Sequence, residues 1–204
     1  MKQYVMPGGR LRVASAVKSM IFVAVGAVML GGAEVATAAG GYFVPNKGQV
    51  AAPPGARTLC QTYRWACSTG SADRAVSPGE MKVVRQINSH VNRTIRPVDD
   101  QKQYGVAERW TMPSRLGGDC EDYALAKKHA LIGQGISPQR LLIATVLDRK
   151  RNSHAVLVYR SAKGDLILDN VTNKIRSWQD TRYVFLRMQD PNNPARWVNV
   201  FAGG

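Results

Sequence analysis

The stretch SHAVLVYRSAKGDLILDN, residues 153–170, decides the fold because it predicts a β-hairpin. Two runs of β-branched and apolar residues flank a two-residue turn at positions 162 and 163. This turn pairs Arg160 with Asp165, and the opposite charges of the pair support the register. The stretch therefore predicts two antiparallel strands at the centre of the C-terminal half.

The same register brings together two polar residues near the open end of the hairpin. It makes His154 and Asp169 diagonal neighbours on one face of the sheet, within reach of each other's side chains. A three-residue turn would instead place Asp169 on the opposite face, because side chains alternate along a strand. The predicted contact between the two residues thus depends on the length of the turn.

Helical patterns precede the strands along the chain. One helix is predicted from Ser77, which with Glu80 has the spacing of a capping box, and a second starts at Asp119. Strand-like runs follow at residues 140–148, 153–160, 164–171, 182–189 and 196–201. This order predicts an α+β fold, with N-terminal helices packed on one side of an antiparallel β-sheet.

Cys120 is predicted at the first position of the second helix, within GGDCEDYALAKKHAL at residues 117–131. A helix N-terminus offers unpaired N–H groups and a partial positive charge, which favour a thiolate and can hold an oxyanion. His154 is the candidate base and Asp169 the candidate residue that orients it. His129 lies too far along the helix, about 13 Å from the cysteine. The residues therefore predict a Cys-His-Asp triad.

Residues 1–38 predict a secretory signal peptide. Four basic residues precede the apolar run IFVAVGAVMLGGA, and small residues at positions 36–38 form a candidate cleavage site. An uncleaved membrane anchor is the alternative interpretation. Residues 39–58, which are rich in Gly, Ala and Pro, predict a flexible N-terminal lead, and residues 59–204 predict the folded domain.

Export affects the interpretation of the cysteines and of the charge. Cys60 and Cys67 are seven residues apart and predict a disulfide in an oxidising compartment, with two buried free thiols as the alternative. Cys120 is then unpaired, which in an exported protein requires a reason. The formal net charge is +14, but the basic residues are scattered and export argues against a nucleic-acid partner.

The motifs GDCEDYALAKKHAL, NSHAVLVYR and LILDNVTNKIRSW resemble those of the bacterial transglutaminase-like cysteine peptidases. The resemblance implies a papain-like, transglutaminase-type fold with Cys120 as nucleophile, His154 as general base and Asp169 as the orienting residue. LapG-type members of that family are periplasmic proteases that release biofilm adhesins and are controlled by an inner-membrane receptor. The resemblance thus implies a periplasmic enzyme, an adhesin-like protein substrate and such a receptor as a partner.

The resemblance further implies a Ca²⁺ site at the acids beside the thiol, which are Asp119, Glu121 and Asp122. Carboxylates are preferred Ca²⁺ ligands, but three of them leave a shell of six to eight oxygens incomplete. The alternative is that Asp119 caps the helix and the other two acids complement its dipole. Trp110 and Tyr104 are predicted either to line the cleft and help to hold the oxyanion, or to pack as ordinary core aromatics.

The triad predicts a cysteine endopeptidase that acts through a thioester. Acyl transfer or amide hydrolysis on the same triad, as in a transglutaminase or amidase, is one alternative, because the residues do not reveal the acyl acceptor. A non-catalytic binding module that has kept the fold is the other alternative. The completeness of the triad argues against that second alternative.

Overall fold

The computed structural model describes residues 41–70 and 77–203. The predicted signal peptide at residues 1–38 lies outside these ranges and stays a prediction. Within the described ranges, no helix has the length and apolar character needed to cross a lipid bilayer.

Four α-helices, four short 3-10 helices and seven strands lie in the described part of the chain. The helices are α1 (Leu59–Thr62), α2 (Glu80–Thr94), α3 (Asp100–Tyr104) and α4 (Cys120–Gly133). The strands are β1 (Gln49–Val50), β2 (Leu141–Leu147), β3 (Ser153–Ser161), β4 (Gly164–Leu168), β5 (Arg176–Ser177), β6 (Val184–Asp190) and β7 (Asn193–Gly203). The predicted order of helices followed by strands is confirmed, and the short strands β1 and β5 are additions to it.

The seven strands form one antiparallel sheet in the order β1-β7-β6-β2-β3-β4-β5. The predicted hairpin register is confirmed, because Arg160 lies opposite Asp165 and Val158 opposite Ile167. The guanidinium of Arg160 binds both carboxylate oxygens of Asp165, at 2.9 and 2.7 Å. Asp165 is fully buried, so this ion pair fixes the turn from inside the protein.

Helix α4 packs against β2 and β3 and places its N-terminus at the sheet. On the face of the sheet towards the helices, Leu141, Ile143 and Leu157 join Leu125 and Leu131 of α4 in one buried cluster. Alternate residues of the same strands enter a second cluster on the opposite face of the sheet. The strong apolar character of the central strands follows from this burial on both faces.

Helix α2 begins later than the sequence predicts. The helix starts at Glu80, and residues 77–79 form a turn in which the Glu80 N–H donates to the Ser77 carbonyl at 2.9 Å. The Glu80 carboxylate accepts a hydrogen bond from the Ser77 backbone, which is one half of the predicted capping box, and it also binds Arg140 at 2.6 Å and accepts the Tyr159 hydroxyl. A long-range ion pair therefore adds to the predicted local contact.

The N-terminal segment packs on the domain, whereas its composition suggested a flexible lead. Val44 is buried, and its N–H donates to the Asp165 carboxylate at 2.9 Å. Strand β1 pairs with β7 at the edge of the sheet. Arg187 of β6 donates to the carbonyls of Ala51 and Ala52, at 3.2 and 3.5 Å. These contacts come from distant parts of the chain, which local composition does not reveal.

Cys60 and Cys67 form the predicted disulfide. The loop that the disulfide closes packs against α4 through the rings of Trp65 and His129, whose centroids are 4.7 Å apart. The carbonyl of Ala66 accepts a hydrogen bond from the buried Gln189 side chain at 3.1 Å. The disulfide loop is therefore tied both to the helix and to the sheet.

Candidate functional site

Just before α4, the chain passes close to the residues that follow α2, and this contact fixes the position of the first turn of α4. Gly117 has a φ of 135°, and a Cβ there would lie 2.1 Å from the carbonyl oxygen of Arg96, so a side chain has no room. The N–H of Gly118 donates to that same carbonyl at 3.0 Å. The Tyr123 hydroxyl donates to the carbonyl of Ile95 at 2.6 Å. These contacts hold the first turn of α4 in a fixed position.

Cys120 is the first residue of α4 and is partly buried, as the sequence predicts. Its thiol donates to a carboxylate oxygen of Glu121 at 3.1 Å. Burial raises the pKa of the thiol, and the adjacent Glu121 raises it further, whereas the backbone N–H of Ala155 lowers it. In this arrangement the acid beside the cysteine opposes the thiolate, because two negative charges would be neighbours.

His154 and Asp169 are in contact. The Nε2 atom of His154 lies 2.9 Å from Oδ1 of Asp169. The pKa of Asp169 is raised by burial, but the hydrogen bonds from His154 and Tyr183 outweigh that effect and hold the pKa below its ordinary value. Asp169 is therefore ionised and acts as an acceptor, so Nε2 of the imidazole carries the proton and Nδ1 is left with a free lone pair.

Tyr183 is a further partner of Asp169, which the sequence did not single out. Its hydroxyl donates to Oδ2 of Asp169 at 2.6 Å, and its ring meets the His154 ring edge-on with centroids 5.8 Å apart. The backbone N–H of Val171 donates to Oδ1 of Asp169 at 3.1 Å. With three donors, this carboxylate has a fixed orientation.

Cys120 and His154 line the same cleft, which has a volume of about 370 Å³. Trp110, the N-terminal residues 53–55, Leu186 and Arg187 also line it. The sequence did not identify the contribution of the N-terminal segment, because only the β1–β7 pairing brings it there.

The two predicted cleft aromatics differ in position. Trp110 lines the cleft, but its indole N–H donates to a carboxylate oxygen of Glu108 at 3.2 Å. Trp110 also packs edge-on against Trp197. It therefore both lines the cleft and packs in the core. Tyr104 is not among the residues that line the cleft; its ring lies 4.5 Å beneath the guanidinium of Arg109.

A group of three acids lies beside the cysteine, but its membership differs from the predicted set. Carboxylate oxygens of Asp100, Asp119 and Glu121 lie within 4.8 Å of one another. Asp122 is not in this group; its Oδ1 accepts the backbone N–H of Thr111 at 3.0 Å, and its buried Oδ2 has no donor among the described residues. The sequence did not indicate Asp100, because it lies nineteen residues before Asp119. In the fold, the backbone N–H of Asp100 donates a hydrogen bond to Asp119 Oδ2 at 3.3 Å, which holds the two acids together.

The acid group fits a hard cation. One buried oxygen of each acid has no hydrogen-bond donor among the described residues: Asp100 Oδ1, Asp119 Oδ1 and Glu121 Oε1. Burial and the charge of Asp119 raise the pKa of Glu121 to about 9. Buried carboxylate oxygens without donors are costly, and a Ca²⁺ ion takes six to eight such oxygens.

Comparison with known proteins defines the class of this enzyme. Residues 46–203 match the family of the bacterial transglutaminase-like cysteine proteinase BTLCP, and the chain belongs to that family. The protein is a transglutaminase-like cysteine peptidase. No curated protein matches the chain.

One solved structure of another protein shares the fold. Calcium-bound LapG of Legionella pneumophila is similar with a TM-score of 0.51 and 21% sequence identity, over 61% of this chain and 71% of LapG. Two further LapG structures, one of them treated with EGTA, have TM-scores of 0.44 and 0.45 at 23% and 24% identity. Each of the two covers 53% of this chain and 62% of its own.

Proposed function

We propose that this peptidase is a periplasmic endopeptidase whose triad is Cys120, His154 and Asp169. The observation that carries the proposal is the 2.9 Å contact of His154 with a buried, ionised Asp169 at a cleft that Cys120 also lines. A nucleophile, a base and an orienting carboxylate are the three groups that thiol catalysis requires.

The reaction begins when Nδ1 of His154 accepts the proton of the Cys120 thiol. The sulfur attacks the peptide carbonyl, and backbone N–H groups at the start of α4 stabilise the oxyanion. His154 then protonates the leaving amine, and a thioester with Cys120 remains. Water, deprotonated by the same imidazole, hydrolyses the thioester, while Asp169 keeps the ring in one tautomer throughout.

Thiol labelling and cleavage test the triad. We expect Cys120→Ala to lose all labelling by iodoacetamide in the folded protein, since the other two cysteines are joined in a disulfide. We expect His154→Ala to keep the thiol but to lose at least about 100-fold of the peptidase activity, because the base is removed. Incubation with cell-surface proteins, followed by mass spectrometry, should give Cys120-dependent new termini. Incorporation of amines without new termini would support the acyl-transfer alternative instead.

We also propose that the enzyme binds Ca²⁺ through Asp100, Asp119 and Glu121. The support is their unpaired buried oxygens and the calcium-bound state of the similar LapG structure. The ion supplies positive charge that offsets the carboxylates beside the thiol and braces the start of α4.

Thermal melting tests the calcium proposal. We expect Ca²⁺ to raise the melting temperature of the full mature chain and a chelator to reverse the effect, because only the folded state assembles the ligands. Asp100→Asn should abolish most of this response, whereas Asp122→Asn should retain it, since Asp122 lies outside the acid group. An equal response of the wild type and Asp100→Asn would reject the assigned ligands.

The proposal extends to the location and the substrate of the enzyme. The charged and apolar pattern of residues 1–38 and the Cys60–Cys67 disulfide support export to an oxidising compartment. We propose a surface protein such as a biofilm adhesin as the substrate and an inner-membrane receptor as the regulator. Cell fractionation and N-terminal sequencing of the mature protein test the export, and recovery of the full-length chain in the cytoplasm would contradict it.

A further inference from the structure

Arg187 brings a permanent positive charge into the cleft that holds the nucleophile. Among the described residues that line this cleft, it is the one lysine or arginine. Its Nη1 atom donates to the carbonyls of Ala51 and Ala52, at 3.2 and 3.5 Å. Within residues 41–70 and 77–203, no carboxylate forms an ion pair with this guanidinium. Its Nε and Nη2 donors are therefore available to a ligand.

The register of the sheet determines where Arg187 lies relative to the reacting sulfur. Arg187 of β6 is opposite Thr145 of β2, and Thr145 is opposite Ala155 of β3. Residues directly opposite each other in antiparallel strands share a face of the sheet, so the three form one row, and all three line the cleft. The backbone N–H of Ala155 interacts with the Cys120 thiol, which places the nucleophile at the Ala155 end of the row.

The length of this row suits a peptide substrate. Neighbouring strands are about 4.8 Å apart, so two steps across the sheet separate the backbones of Ala155 and Arg187 by roughly 10 Å. An extended peptide advances about 3.3 Å per residue. A substrate whose scissile carbonyl lies at Cys120 therefore brings a side chain about three residues away within reach of the guanidinium.

The charges that line the cleft favour a carboxylate at Arg187. A guanidinium binds a carboxylate through two parallel N–H donors. The carboxyl groups of Glu108 and Glu121 also line the cleft, but Glu108 accepts the indole N–H of Trp110 at 3.2 Å. Glu121 accepts the Cys120 thiol at 3.1 Å. An acidic side chain is therefore attracted at Arg187 and repelled beside the cysteine.

We propose that Arg187 is a specificity-determining residue, which selects protein substrates with an Asp or Glu side chain about three residues from the cleaved bond. The inference rests on the proposed endopeptidase and names the chemistry of its substrate. The carbonyls of Ala51 and Ala52 hold the guanidinium at Nη1, and the edge formed by Nε and Nη2 binds the substrate carboxylate. Arg187 takes no part in proton transfer.

Peptide selection tests this specificity without any need for turnover. The full mature chain carrying Cys120→Ala is immobilised, and the peptides that it retains from a random library are sequenced. We expect Asp and Glu to be enriched at one position of these peptides. Adding Arg187→Gln, which keeps a donor for the carbonyls but removes the charge, should abolish the enrichment. Adding Arg187→Glu should replace it by an enrichment of Lys and Arg, which a purely structural role of Arg187 does not produce.

Kinetics with the intact thiol extend the test to cleavage. In a selected peptide, replacement of the acid by alanine should lower kcat/KM of the wild type by about tenfold, because the guanidinium loses its partner. The same replacement should leave kcat/KM of Arg187→Gln unchanged. Arg187→Lys should keep an acidic preference, since the positive charge remains.

Arg196→Glu is the matched control for Arg187→Glu, because it changes the net charge by the same amount. Arg196 is an exposed arginine of β7 that does not line the cleft, so the acidic preference should persist in this variant. Selection without acidic enrichment, an equal preference in Arg187→Gln, or a loss of preference in Arg196→Glu would overturn the proposal. Selected peptides that bind with the expected preference but stay uncleaved would count against the peptidase and still support the role of Arg187.

Discussion

At the scale of single residues, the hydrogen bonds around Asp169 fix the orientation of this carboxylate and, through it, the tautomer of the His154 imidazole. The sequence predicted Cys120, His154 and Asp169 from helix position and strand register. It missed Tyr183, because a tyrosine at the start of a strand looks like any core aromatic. Only the fold shows that its hydroxyl points to the second oxygen of Asp169.

Replacement of Tyr183 by phenylalanine should slow the chemical step. The change removes the O–H donor 2.6 Å from Asp169 Oδ2 and leaves that buried oxygen unpaired. We expect kcat to fall by about tenfold with KM unchanged, equivalent to one lost hydrogen bond of about 1.4 kcal/mol. Steady-state kinetics on a cleaved peptide provide the measurement.

Tyr159→Phe is the comparison for that variant. Tyr159 is also buried and also donates to a carboxylate, that of Glu80, but it does not line the cleft. This variant should lose stability and keep its kcat. Equal losses of kcat in the two variants would show that the effect of Tyr183 is only structural.

At the scale of elements, α4 combines the nucleophile with two buried lysines. Burial lowers the pKa of Lys128 to about 7 in the folded protein, whereas the ordinary lysine pKa is about 10.4. Between these two pH values the unfolded state binds more protons than the folded state. The free energy of unfolding therefore rises with pH across this window.

Lys128→Met should flatten this pH dependence. We expect the slope of the free energy of unfolding between about pH 7 and about pH 10 to decrease by up to about 1.4 kcal/mol per pH unit, because one linked proton is lost. Urea unfolding at several pH values in this window gives the slope. An unchanged slope would mean that Lys128 titrates normally in the folded protein.

The elements also show what the sequence could and could not predict. The hairpin and the start of α4 were predictable, since each depends on neighbours within a few positions: the Arg160–Asp165 pair and the helix start at Cys120. The ion pair of Glu80 with Arg140 and the position of Asp100 beside Asp119 were not, because each contact joins residues far apart in the chain. Local patterns therefore predicted the three residues of the proposed triad but only part of the acid group.

At the scale of the whole molecule, the disulfide closes the loop that packs on α4 and on the sheet. Replacing Cys60 and Cys67 by serine should lower stability by roughly 2–3 kcal/mol, the range expected for a short closed loop. That loss corresponds to roughly 2–4 °C in Tm for each kcal/mol in a domain of this size. The activity at low temperature should persist, since neither cysteine lines the cleft.

Differential scanning calorimetry of the oxidised and reduced protein measures this contribution. The double serine variant should melt at the temperature of the reduced wild type. Identical melting of the oxidised and reduced forms would show that packing of Trp65 and Ala66 holds the loop without the covalent link.

The pairing of β1 with β7 imposes an order on the folding of the enzyme during its synthesis. Residues 53–55, which line the cleft, follow shortly after β1, whose sheet partner is β7. A nascent chain that ends before Asn193 carries Cys120, His154 and Asp169 but lacks β7, the strand with which β1 pairs. A newly made molecule therefore assembles its complete cleft only after β7 has been synthesised.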